Sequence, residues 1–202
     1  MIGNYIKAVA AAVSRTTAQL MKTGQTVSYR TGDDGDLEAG RSVSFTVLAE
    51  NNPFGNTNRF TDELGGQTYT KNIVIDWSTY NGSTVLGWRR TLNGAFVTWN
   101  QAIDGALTVS IAPFTTGWRL PNVQELSSIC IWDGGWRFNY SPFNIANSFT
   151  LWSSTTASLS TSNAVAFWGS IVAGISAQAK TTNSSMMYFP CRTFTVTGTT
   201  LS

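Results

Sequence analysis

The sequence predicts an α+β fold in which two short helices are set in an irregular antiparallel sheet. After Gly24, apolar residues recur at helical spacing in two places, near residues 96–103 and 123–130. Elsewhere in that part of the chain, short segments alternate apolar and polar residues between turns rich in Gly, Asn and Ser. Short helices within a strand-rich and loop-rich chain are typical of the α+β class.

A separate helix is predicted over residues 1–24. Its apolar positions are spaced alternately by four and three residues, which makes a short heptad seam. Gly24 ends the pattern, and Lys22 lies in the last turn, where a cation suits the helix dipole. The helix either packs on its own domain or associates with other copies, and we expect association, with three chains favoured by Ile in the seam. The seam residues are Ile2, Ile6, Val9, Val13, Thr16 and Leu20.

Residues 25–202 form the second predicted domain, which begins with an acidic turn and continues in strands. The turn TGDDGDLEAGR at residues 31–41 is followed by an alternating segment at 42–49, and a half-buried strand is predicted around Ile73, Ile75 and Trp77. The acids of the turn are either Ca²⁺ ligands or solvated. Because they lack the spacing and the distal Glu of an EF-hand loop, we predict no metal site. These acids are Asp33, Asp34, Asp36 and Glu38.

The two short helices of this domain are marked by their own start and stop signals. The first helix contains Trp99 and Ile103 at helical spacing and ends at Gly105. In the second, Pro121 lies where a first turn tolerates proline, and Asn122 is a candidate cap. We assign a set of apolar residues to the core, and we expect Arg119 to contact Glu125 or a loop carbonyl. The core set is Trp118, Leu120, Leu126, Trp152, Phe167 and Phe189.

The composition excludes several classes of function. The chain has 202 residues, 42% of them hydrophobic, and contains no histidine, which removes Ser-His-Asp catalysis and His-ligated zinc. Charged residues make up 12% and the net charge is +2, so we expect no nucleic acid partner. No apolar run approaches the roughly 20 residues of a membrane span, and we expect residues 8–13 to be mature chain and not a signal peptide. No catalytic carboxylate pair or cofactor motif is recognisable, so we predict a protein that is not an enzyme and holds no cofactor.

Six motifs occur in an order that resembles a known family. The chain is similar to the domains of unknown function at the C-terminus of bacterial collagen-like adhesins, and this resemblance implies a C-type-lectin-like fold. The pair formed by GWRLPNVQEL and LWSSTT is the specific part of the match. The motifs are TGDDGDLEAGR (31–41), RFTD (59–62), WNQAI (99–103), GWRLPNVQEL (117–126), LWSSTT (151–156) and YFPCR (188–192).

The resemblance also implies a function. Members of this family are similar to the variable proteins of diversity-generating retroelements, in which a reverse transcriptase rewrites codons of the ligand surface. Here the rewritten stretch corresponds to residues 156–187, which are rich in Ala, Ser and Thr. With the N-terminal helix, the chain resembles receptor-binding proteins of phage tail tips that contact a protein or a glycan on a target cell. The alternative is a bacterial surface adhesin that binds glycans or glycosaminoglycans, and either role places the protein on a virion or outside the cell.

Within this stretch, the ligand surface is predicted to consist of side chains that alternate outward. Trp168 is the expected energetic centre, because an exposed Trp among small residues offers a large rigid contact at a low entropic cost. The predicted ligand-binding residues are Leu159, Thr161, Asn163, Ala166, Trp168, Ser170, Ile171, Ala173, Ile175, Gln178, Thr182 and Asn183.

The resemblance raises two questions about chemistry. Lectin-like folds carry a disulfide across the whole domain, which implies a bridge between Cys130 and Cys191, whereas two buried thiols are an equal alternative. The Ca²⁺-binding triplets of lectins are missing from the sequence, so Ca²⁺-dependent sugar binding is not expected.

Overall fold

The computed structural model describes residues 31, 53–55, 58–67, 69, 71–130, 142–143, 150–168 and 174–202. These residues are mostly β, with two curled sheets and two α-helices. The α+β prediction is therefore wrong. Both predicted short helices exist, but the sheets supply most of the regular structure and the helices only cover them. The predicted helix at 1–24 and the predicted strand at 42–49 lie outside the described residues.

The larger sheet, sheet I, has six strands and is antiparallel throughout. Its order is β1-β2-β3-β9-β10, and β4 also pairs with β9. Because β3 occupies one edge of β9, the short strands β4 and β10 pair with different ends of the other edge. The strands are β1 (Phe60–Thr61), β2 (Ile73–Asp76), β3 (Thr84–Arg89), β4 (Trp118–Arg119), β9 (Cys191–Thr197) and β10 (Thr200–Leu201).

The smaller sheet, sheet II, has four strands in the order β7-β6-β5-β8. The pairs β7–β6 and β6–β5 are antiparallel, whereas β8 runs parallel to β5. Strand β7 is the outermost strand and pairs with β6 alone among the described strands. The strands are β5 (Thr150–Thr156), β6 (Asn163–Trp168), β7 (Gly174–Ala179) and β8 (Met186–Met187).

Two capped helices cover opposite faces of sheet II. Helix α1 (Trp99–Leu107) begins at the N-cap Thr98, whose capping box with Gln101 satisfies backbone donors of the first turn. It continues past Gly105, the predicted end. Helix α2 (Val123–Ser128) begins at the candidate cap Asn122, but Pro121 lies before this cap and not in the first turn as predicted. A 3₁₀ turn, Trp77–Thr79, follows β2.

The core consists of three clusters that confirm the predicted core residues. The first lies between sheet I, sheet II and α2, and includes Leu126, Phe167 and Phe189. The second lies on the other face of sheet I and includes Trp118. The third joins α1 to sheet II and includes Leu120 and Trp152. All six predicted core residues are buried.

Strand β2 differs from its prediction because both of its faces are buried. Val74 and Asp76 are as inaccessible as Ile73 and Ile75, since the first and second clusters cover opposite faces of sheet I. The buried Asp76 is compensated by Arg59, which donates from Nε and Nη2 to its two carboxylate oxygens at 2.8 and 2.7 Å. An alternation of apolar and polar residues cannot reveal that a cluster also covers the second face of the strand.

Candidate functional site

The predicted ligand surface lies on sheet II, and its residues are divided between two faces. Register pairs Ala166 with Ser176 and Phe167 with Ile175, so alternate side chains of β6 and β7 point to opposite sides. Even-numbered residues share the face that α1 covers, and odd-numbered residues of these two strands share the face that α2 covers. We call these the α1 face and the α2 face.

On the α1 face, Trp168 is exposed at the end of β6. Its side chain is 38% exposed. Its Nε1 donates to Ser176 Oγ of β7 at 2.5 Å, and Gln178 Nε2 donates to the same oxygen at 3.1 Å. These bonds hold the indole and the amide side by side. The cluster therefore presents one large ring with a fixed orientation beside a polar group.

On the α2 face, β7 is exposed and apolar. Ile175 is 48% exposed, and Ala177 and Ala179 are exposed as well. Their neighbour on β6, Phe167, is fully buried by the first cluster. The helices thus cover the centre of sheet II and leave both faces of its outer strand accessible.

Two turns extend this surface at the same end of the sheet. Residues 157–162 join β5 to β6, and Leu159 at this turn is 99% exposed, with Thr161 exposed beside it. The turn after β7 is closed by Thr182 N–H, which donates to Ala179 O at 2.9 Å, and Asn183 that follows is exposed. Because Asn163 pairs with Ala179, the two turns are adjacent.

Lys180 connects the second turn to α1. Its ammonium lies 4.0 Å from the centroid of the Trp99 ring and donates to Thr156 Oγ1 at 3.1 Å. Trp99 N–H donates to Lys180 O at 3.0 Å. The sequence did not single out Lys180, because nothing in the spacing shows that residue 180 returns to the start of the helix at residue 99.

The two motifs that carried the family resemblance contact each other. Ser154 N–H donates to Pro121 O at 2.8 Å, and Val123 N–H donates to Thr155 Oγ1 at 3.1 Å. The SSTT part of LWSSTT is a bulge in β5, where the register with β6 shifts between residues 152 and 156. Ser153 Oγ donates to Val165 O at 2.6 Å within this bulge. The bulge therefore fixes sheet II against the N-terminus of α2.

The start of α2 is held by the predicted ion pair. Arg119 Nη1 and Nη2 donate to the Glu125 carboxylate at 2.8 and 2.6 Å, and Glu125 also accepts from Asn122 N–H at 2.8 Å. The hydrogen bond to Glu125 raises the pKa of Arg119. Partial burial raises the pKa of Glu125, but the bonds from Arg119 and the Asn122 backbone outweigh it, and the net shift is downward.

Three outcomes follow for the predicted ligand-binding residues. Most of the predicted residues that the structure describes lie on β6, β7 and the adjoining turns, and these are at least partly exposed. Ala166 is fully buried against α1 and does not point outward as predicted, because its place in β6 is under the helix. Ser170, Ile171 and Ala173 lie outside the described residues. Ser176, Ala177 and Ala179 were missed, because without the register of β7 an alternating stretch does not show which of its faces is covered.

Of the two alternatives for the cysteines, the structure has the two buried thiols and not the bridge that the resemblance implied. Cys130 and Cys191 both lie buried in the first cluster, and no disulfide joins them. Burial raises the pKa of the Cys191 thiol well above its ordinary value. The two residues pack as small apolar side chains, which is the alternative that the sequence left open.

The described ranges contain no cluster of three or more His, Cys, Asp or Glu side chains that could hold a metal ion. The acids at 33–38 are outside those ranges. Neither helix in these ranges is long and apolar enough to cross a membrane.

Comparison with known proteins gives one match. A family model described as the Lcl C-terminal domain matches residues 78–192, more than half of the chain. The matched range contains both helices and all of sheet II, and it confirms the family that the motifs indicated. This family is associated with adhesin-like or phage-tail-type proteins. No curated protein and no solved structure matches the chain, so no comparison supports the predicted C-type-lectin-like fold.

Proposed function

Because the chain belongs to the Lcl C-terminal domain family, we propose that it is a receptor-binding protein that acts by contact and not by catalysis. Its ligand surface is the outer part of sheet II, formed by β6, β7 and the two adjoining turns. The target is a protein or a glycan on a cell surface. The protein works at a virion tail tip or outside the cell, without a cofactor.

One observation carries this proposal, namely that β7 is exposed on its α2 face and partly exposed on its α1 face, at the edge of a sheet whose centre is fixed. Helices cover the middle of sheet II on both sides, and the bulge in β5 holds α2 in place. Side chains of the outer strand can therefore change without disturbing the core. Trp168 supplies a large ring at one end, and such rings dominate the energetics of binding surfaces.

We further propose that residues 156–187 are a diversified region, rewritten by a retroelement. The region spans the exposed turn, β6 and β7, and small side chains predominate in it. Sequencing of the DNA around the gene tests this part. A reverse transcriptase gene and a near-identical, adenine-rich repeat of the coding region are expected, and the absence of both would contradict diversification while leaving receptor binding intact.

The ligand surface is tested by replacement of its central ring. Trp168→Ala is expected to weaken binding by about tenfold or more on any target that the full-length protein recognises on arrays of glycans and of cell-surface proteins. Leu64→Ala is the matched control, since Leu64 is 68% exposed but lies in the turn after β1, a strand of sheet I. Equal losses for the two variants, or none for Trp168→Ala, would contradict the proposed surface.

The glycan-binding adhesin is the second candidate, and the same arrays separate it from a protein receptor. Binding to sulfated polymers that salt abolishes would favour the adhesin, because screening weakens contacts between exposed charges. The 13 Lys and Arg residues in a chain of 202 residues provide few such contacts.

A further inference from the structure

The outer edge of β7 carries backbone groups that no described strand uses. Lys180 N–H donates to Ser162 O at 3.0 Å, which directs this N–H toward β6. In an antiparallel pair, successive residues direct their backbone groups alternately toward the partner and away from it. The regular register from Asn163–Ala179 to Trp168–Gly174 then directs the N–H groups of Ile175, Ala177 and Ala179 outward.

Most of these outward groups have no hydrogen-bond partner in the part of the chain that the structure describes. The Ala179 carbonyl accepts from Thr182 N–H. The N–H and C=O of Ile175 and Ala177, and the N–H of Ala179, remain available along the edge. They form a row with the spacing that an added strand requires.

Strand β7 also lacks the features that normally protect a sheet edge. Its sequence, GISAQA, contains no charged residue and no proline, and its pairing with β6 contains no bulge. The residue that follows β7 in the chain is Lys180, and its ammonium is directed back over Trp99 and Thr156. The outward residues carry small or apolar side chains, so another backbone can approach closely.

We propose that β7 binds its target by strand addition, with an extended and uncharged polypeptide segment pairing along its outer edge. This proposal rests on the proposed function and narrows the ligand to a protein. The absence of charge along the edge favours a segment without charged side chains. Charged side chains would lose their hydration against Ile175 and the alanines. Main-chain pairing supplies affinity independently of side chains, so an edge of this kind stays functional while residues 156–187 vary.

The test uses the full-length protein and a display library of linear heptapeptides, with an array of neutral and sulfated glycans in parallel. Ala177→Pro removes one outward N–H while leaving every bond to β6, and proline is tolerated where the N–H of an edge strand faces solvent. Ala177→Val is the matched control, because it enlarges the side chain and keeps the N–H. Selected peptides with N-methyl groups at alternate positions probe the same bonds without altering the protein.

Selected peptides are expected to be uncharged, to lose about tenfold or more in affinity for Ala177→Pro and to keep it within about twofold for Ala177→Val. N-methylation of one set of alternate residues in the peptide should abolish binding. N-methylation of the other alternate set should not. Peptides that bind Ala177→Pro as well as wild type, or that tolerate both patterns, would overturn strand addition.

Two further outcomes separate this proposal from the proposed function. Binding to glycans alone, unaffected by Ala177→Pro, would overturn strand addition and leave receptor binding standing. A change in the oligomeric state of the full chain on Ala177→Pro would show that a second copy occupies the edge, which also overturns the proposal. If neither peptides, glycans nor cell-surface proteins bind, the proposed function fails as well.

Discussion

At the scale of single residues, two charged side chains of this protein are buried together and compensate each other. They belong to Arg59 and Asp76, are 1% and 0% exposed and are joined by two hydrogen bonds. Removal of one partner from such a pair leaves an unpaired buried charge, which is far more costly than the pair itself. The arginine of the motif RFTD therefore has a structural role in the core and not a role in ligand binding.

The Arg119–Glu125 pair is more exposed and gives a pH-dependent prediction. Because the folded pKa of Glu125 lies below its ordinary value of 4.5, ionised Glu125 stabilises the fold above about pH 4.5, and this contribution is lost as the pH falls through the folded pKa. Glu125→Gln should lower the free energy of unfolding by about 1 kcal/mol at pH 7, since the pair is partly exposed. The difference from wild type should shrink below about pH 4.5, as measured by urea unfolding at several pH values.

A matched control for this prediction is Asp104→Asn. Asp104 is an exposed acid on α1 that makes no ion pair with another described residue. Its replacement should change the free energy of unfolding by less than about 0.5 kcal/mol both at pH 7 and at pH 3. A difference between wild type and Glu125→Gln that stays constant from pH 7 to pH 3 would show that the pair does not act through ionisation.

At the scale of elements, the bulge of β5 connects sheet II to both helices. Trp99 Nε1 donates to Ser153 O at 2.8 Å on the α1 side, and Thr155 Oγ1 accepts from Val123 N–H on the α2 side. Ser153 is fully buried, and its hydroxyl donates to Val165 O and accepts from Thr155 N–H. The side chain of this serine therefore holds the irregular backbone in one shape.

Replacement of that hydroxyl should destabilise the protein. Ser153→Ala leaves a partly buried N–H and a partly buried carbonyl without their partner, and the expected loss is about 1–3 kcal/mol in the free energy of unfolding. Ser154→Ala is the control at the adjacent position, where the side chain is exposed and the contact to Pro121 is made by the backbone. Its expected loss is below about 0.5 kcal/mol by chemical denaturation. Similar losses for the two variants would argue against this role of Ser153.

The elements themselves were predictable to different degrees. The second helix was located by Pro121 and Asn122, because capping is a local signal. The alternation of residues 165–168, within β6, was also visible in the sequence. The bulge, the parallel pairing of β8 with β5 and the position of β7 at the edge were not, because each depends on partners distant in sequence.

At the scale of the whole molecule, we propose that copies associate through residues 1–24, with a trimer favoured. About three heptads are marginal alone, so contacts between the following domains should contribute. Light scattering on the full chain and on a chain that begins at Thr26 tests this. The full chain is expected to have about three times the mass of one copy, and the shorter chain a smaller multiple. A monomeric full-length protein would exclude association.

The sequence by itself determined the family, the composition of the core, the start of the second helix and the absence of histidine chemistry. These depend on local spacing, caps and residue types, which act within a few residues. The tertiary structure decided the class of the fold, since the packing of two sheets outweighs two short helices. It also decided that Ala166 is covered while Ala177 and Ala179 are exposed, and that β7 is an edge. Register and layer order arise from contacts between distant segments, and alternation alone does not specify which face of a strand another element will cover.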